Sequence, residues 1–94
     1  MQEDDARFDA IHRIIKRGDV LALRRELQEG LNPNLANRFG WTLLMLAALH
    51  GRTDVTELFT ANGADASHVN HFGDTAASLA GIKKHMRTKR FLER

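Results

Sequence analysis

The chain has 94 residues, with 43% hydrophobic and 28% charged side chains, an ordinary balance for one small soluble domain spanning 1–94. No apolar run is long enough to span a bilayer, and the acidic start "MQEDDARFD" lacks the basic and apolar regions of a secretory signal. With no cysteine, disulfides and thiolate chemistry are excluded, and an intracellular location, cytoplasmic or nuclear, is expected.

Taken in order, "RFDAIHRIIKRGDVLALRREL" reads as two helical segments around Gly18. Phe8, Ile11, Ile14, Ile15, Leu23 and Leu27 form an inner stripe, and Arg13, Lys16, Arg17, Arg24 and Arg25 fall elsewhere. "NRFGWT" is a turn, followed by the apolar helix "TLLMLAALHG" at 42–51. A further helix, "TDVTELFTANG" at 53–63, carries Val55, Leu58 and Phe59 at helical spacing and stops at Gly63, suited to a left-handed cap. The turn "HFGDT" at 71–75 leads into an alanine-rich helix and then "KKHMRTKRFLER" at 83–94. In that last helix Thr88 and Lys89 stand where apolar residues are expected, leaving Met86, Phe91 and Leu92 to dock it. The segment carries a charge of +5, whereas residues 1–82 carry −3, so the basicity belongs to the last dozen residues.

A shift of 33 residues lays the chain on itself without a gap. Phe39, Gly40 and Thr42 meet Phe72, Gly73 and Thr75; Leu46 and Ala47 meet Leu79 and Ala80. Gly18 meets Gly51, Gly30 meets Gly63, and Asn32 meets Asp65. Each unit is a turn and two helices too short to hold alone in water, so stacking must stabilise them. Thr42 and Thr75 fit as helix N-caps, and Asp9 stands in the same place one period earlier.

This pattern resembles the ankyrin repeat, most closely in "FGWTLLMLAALHGRTDVTELFTANGAD". The resemblance implies an all-α solenoid of about three helix-turn-helix repeats joined by β-turn or hairpin loops, at about 4–36, 37–69 and 70–94, the last serving as a cap. The middle repeat departs from the family pattern in having Leu43 for its proline and Met45 for its histidine, and His12 takes that histidine's place in the first. His12 is therefore expected to hydrogen-bond backbone. Leu46, Ala47, Leu58 and Leu79 are expected to be buried between repeats, with Arg52 and Glu57 wet.

The family resemblance also implies a concave protein-binding surface of turn tips and first helices. Carried onto this chain, its residues are Arg38, Phe39, Trp41, Leu49, His50, His71, Phe72, Asp74, Ile82 and Lys83. Phe39 and Phe72, one period apart, could equally brace the turns by stacking. Trp41, whose period mates are Phe8 and Asp74, is expected to be exposed and partner-facing.

No nucleophile motif, phosphate-cradling loop or metal-ligand helix is present, so no enzyme activity, cofactor or small-molecule substrate is expected. The five histidines His12, His50, His68, His71 and His85 lack cysteine companions and make no expected metal site. The expected function is a protein-protein interaction module, a scaffold, adaptor or inhibitor, monomeric when free and with no membrane partner. The rival is a nucleic-acid or acidic-surface binder working through 83–94. A solvated face on a capping helix accounts for those charges more simply, so another protein is the expected partner rather than nucleic acid.

Overall fold

The computed structural model describes residues 3–94. Six helices follow in chain order: α1 (Glu3–Arg17), α2 (Val20–Gln28), α3 (Leu43–Leu49), α4 (Thr53–Ala61), α5 (Ala76–Ile82) and α6 (Met86–Leu92). They form three antiparallel pairs stacked in two layers, α1, α3 and α5 in one and α2, α4 and α6 in the other. The fold is all-α, and among the described residues its only β feature is an isolated antiparallel bridge between Ala36 and Thr42.

Short helices start where a side chain takes up an orphan amide. The Thr42 hydroxyl accepts from the Met45 N–H at 3.2 Å, and that of Thr75 from the Ser78 N–H at 3.2 Å. Ser78 returns the contact, its hydroxyl accepting the Thr75 N–H at 2.9 Å. Each such cap stabilises by about 1 kcal/mol. Asp9 does not act as a third cap: α1 begins six residues before it and makes Asp9 an exposed interior residue. The helix runs straight through that position, where α3 and α5 must start afresh after a hairpin turn.

The core is centred on α3, whose residues Leu43 to Ala48 are all buried because α1, α4 and α5 pack around it. Ala47, Ala48, Ala76 and Ala80 keep the facing helices close, and Phe8, Ile11, Ile15, Leu23, Val55, Phe59 and Leu79 fill the remainder. Leu58 is only half-buried, since the outer layer has nothing beyond it. The α6 helix docks differently from expectation. Thr88 is 1% exposed and its hydroxyl lies 2.7 Å from that of Thr53, a satisfied buried polar pair, whereas Met86 is exposed.

The connections between paired helices share one backbone device. Gly18, Gly51 and Lys84, each one period apart, have φ of 70°, 68° and 63°. Around Gly51, the Gly51 N–H donates to the Ala48 carbonyl and the Arg52 N–H to that of Ala47, closing α3. The next repeat then lays a side chain over the glycine of the one before. Arg52 packs on Gly18 and donates to the Lys16 carbonyl, tying the turn between α3 and α4 to the C-terminus of α1. One period later, His85 packs on Gly51. Arg52 is thus half-buried rather than wet; Glu57 is exposed.

Candidate binding face

The two hairpin tips are built alike by an asparagine. The Asn37 Oδ1 accepts from the N–H groups of Phe39 and Trp41, each at 3.0 Å, while the Gly40 N–H donates to the Asn37 carbonyl. Asn70 repeats this with Phe72 at 2.9 Å, Asp74 at 3.0 Å and Gly73. The tips are also joined: the His71 N–H donates to the Phe39 carbonyl at 3.0 Å, and His68 Nε2 lies 3.0 Å from the Gly40 carbonyl. Gly40 has φ of 80°, and a Cβ there would stand 3.1 Å from Asn70 Cα, so the position suits glycine on two counts. Sequence reasoning does not single out Asn37 and Asn70, although their 33-residue spacing is the signal that marks them.

These clamps hold the backbone and leave side chains outside. Phe39 and Phe72 are 44% and 68% exposed, yet their ring centroids are 6.3 Å apart, tilted by 39°. Bracing and exposure therefore coexist, and the Arg38 guanidinium stacks 5.1 Å from the Phe39 centroid. Beside this tip, Asp5, Phe8, Asp9, Asn37, Arg38 and Phe39 line an open cleft of about 330 Å³. Trp41 departs from expectation: it is half-buried and packs on the core. It immediately precedes the N-cap of α3, and its N–H and carbonyl are both held by Asn37, which keeps it against the stack.

The successive first helices have their N-termini together at the tips and their C-termini together near Gly18 and Gly51. The face therefore has two edges, about 10 Å apart by the rise of a seven-residue helix such as α3. His71 and Phe72 are exposed and Asp74 is half-buried at the tip edge. At the other edge Ile82 is 65% exposed and Lys83 exposed, while Leu49 and His50 are half-buried. His12, instead of reaching backbone, brings Nε2 to 3.1 Å from that of His50. Burial and neighbouring Lys16 push the His12 pKa down against the pull of Asp9. For His50 the lowering comes from burial, then His12, Lys16, Arg52 and His85.

On the opposite side, Lys89 pairs with Glu93 at 3.0 Å and the Arg94 guanidinium covers Phe91 at 4.7 Å. Among the described residues no three His, Cys, Asp or Glu converge as metal ligands. The arrangement offers rigid non-covalent contact.

A sequence model of the family described as "Ankyrin repeats (many copies)" matches residues 11–60. The chain is 32% identical over 82 residues to the mouse (Mus musculus) 2-5A-dependent ribonuclease, an alignment covering 86% of this chain and 11% of that protein. It is also 32% identical over 74 residues to human (Homo sapiens) Ankyrin repeat family A protein 2, covering 79% and 24% respectively. The chain thus spans a minor part of these relatives. Among solved structures it superposes with a TM-score of 0.81 and 23% identity on a chain from the complex of a predatory endopeptidase of Bdellovibrio bacteriovorus with an immunity protein. That match covers 88% of this chain and 44% of the other.

Proposed function

Because the chain belongs to the ankyrin-repeat family, we propose that it is a protein-binding module whose partner docks on the face between the hairpin tips and the ends of α3 and α5. The partner is read by Phe39, Phe72 and Ile82 as apolar anchors, with Arg38, His71, Lys83 and His50 as polar contacts and Trp41, Leu49 and Asp74 beneath them. One observation carries this reading. The Asn37 and Asn70 clamps spend the polar groups of the tips on holding the backbone, while the phenylalanines they carry stay 44% and 68% exposed. Core packing does not need two large aromatics there, and a rigid tip binds without a further ordering cost. Aromatic and Arg side chains are the types that concentrate binding energy. The matched fold in a complex of two proteins supports a protein as the occupant.

Affinity capture compares the parent with Phe72→Ala/Ile82→Ala and with Arg87→Ala/Arg90→Ala, all checked for folding by circular dichroism. The proposal expects the first double variant to lose the captured protein and the second to keep it. Loss confined to the second transfers binding to the basic segment 83–94.

A further inference from the structure

At the edge of the face away from the phenylalanines, five basic groups gather from three elements. His12 and Lys16 come from α1, His50 and Arg52 flank the turn after α3, and His85 enters from the start of α6. They are in mutual range: His12 and His50 share a contact at 3.1 Å, Arg52 donates to the Lys16 carbonyl, and the His85 ring lies on Gly51 beside His50. Among the described residues the ion pairs are Arg7–Glu26 and Lys89–Glu93, and neither involves this cluster. Asp9 acts on His12, Asp19 is engaged as the N-cap of α2, and Asp54 and Glu57 line a cleft together with Gly51, Arg52 and Arg87. A concentration of one sign that no ion pair neutralises raises the local potential and draws an opposite charge.

We propose that this cluster is a carboxylate seat, which takes an acidic segment of the partner protein and holds it more tightly as pH falls. The inference rests on the protein-binding reading above and names the partner's chemistry: an apolar anchor at the phenylalanine edge and Asp or Glu about 10 Å away, one α3 length. A helix provides that spacing seven residues apart, and an extended strand three apart. Carboxylate suits the site better than a nucleic-acid phosphate chain. Three of the five groups are imidazoles, the Arg52 guanidinium is already engaged by a carbonyl, and the aromatic platform that bases need lies at the opposite edge.

Proton linkage gives the seat a signature. Burial and the neighbouring cations hold His12 and His50 below their ordinary pKa of 6.5, so both are mainly neutral at pH 7. A bound carboxylate offsets those cations and favours imidazolium, so binding takes up protons, and affinity rises as pH falls. Glutamate stays ionised throughout that range.

Blocked hexaglutamate is titrated into the isotope-labelled chain, and the imidazole resonances are followed by NMR at about pH 6 and about pH 8. Saturable shifts at His12, His50 and His85 are expected, with affinity at least about fivefold higher at the lower pH, the small end of ordinary site coupling. Lys16→Gln, a change at an exposed side chain, should weaken binding without changing the melt. Silent histidines, equal affinity at both pH values, or shifts confined to residues 86–94 would overturn the seat. So would hexathymidylate shifting the same three histidines more strongly, which would make the ligand a phosphate. If capture still depends on Phe72 and Ile82 while hexaglutamate ignores the histidines, the carboxylate assignment falls and the protein-binding reading stands.

Discussion

Replacing Gly51 by alanine tests the stacking device between repeats, because two separable costs meet there. The backbone sits at φ of 68°, where an L side chain costs roughly 1–2 kcal/mol. Alanine's stiffer unfolded chain returns about 0.4–1 kcal/mol of this. The added Cβ would also stand 2.5 Å from His85 Nδ1 and 2.7 Å from its Cγ, so the whole ring must move rather than a flexible tip. Overpacking of that kind costs about 1–3 kcal/mol. The sum is about 1–5 kcal/mol, which for a chain of this size lowers the melting temperature by about 5 °C or more. A double-mutant cycle with His85→Ala, followed by urea unfolding under circular dichroism, divides the two terms. Without the ring, Gly51→Ala should cost only the net strain, about 0–1.6 kcal/mol, leaving a coupling of about 1–3 kcal/mol. Equal costs in both backgrounds, within about 0.5 kcal/mol, would mean that His85 does not rest on Gly51.

The same turn one period on should respond in the opposite sense: Lys84 has φ of 63°, and Lys84→Gly should raise stability by about 0.5–1 kcal/mol, seen as a higher urea midpoint. Leu46 is 6% exposed at the centre of the stack, so Leu46→Ala should cost about 2–5 kcal/mol in the same assay. A melt indistinguishable from the parent would show the α3 register to be wrong. His12 and His50 have folded pKa values below 6.5, so the unfolded chain takes up protons first. Their contribution is complete above about pH 6.5 and is lost as pH falls through the folded values, a limb that His12→Gln/His50→Gln should flatten in pH-dependent melts. Asp65, lowered by hydrogen bonds from Ser67, acts in the same sense but only below its ordinary 3.8, in a separate window.

Features tied to the 33-residue period are legible in the amino-acid sequence: the helix pairs, the Thr42 and Thr75 caps, and the paired placement of Phe39 and Phe72. Such features depend on backbone geometry that each copy must repeat. What the period does not reveal depends on where a long side chain turns after the backbone is set. Arg52 and His85 are one period apart, yet nothing in their identity says that each lies back over the preceding glycine. Trp41 shows the same limit, since a turn position locates its Cα while the fold of the tip decides that the indole lies half-buried. Asp9 misleads because its position within a period matches Thr42, but a cap needs a turn just before it, and α1 is already helical there. Thr88 sits at an apolar place because Thr53 supplies its hydroxyl with a partner 35 residues away.

The central claim, that a partner protein is read by the tips and the ends of α3 and α5, is tested most directly by hydrogen exchange on the chain alone and bound to its captured partner. Residues 37–41, 70–74 and 82–83 should gain protection in the complex, with α2 and α6 unchanged. Protection gathered on residues 86–94 instead, with the two tips exchanging as in the free chain, would contradict the account.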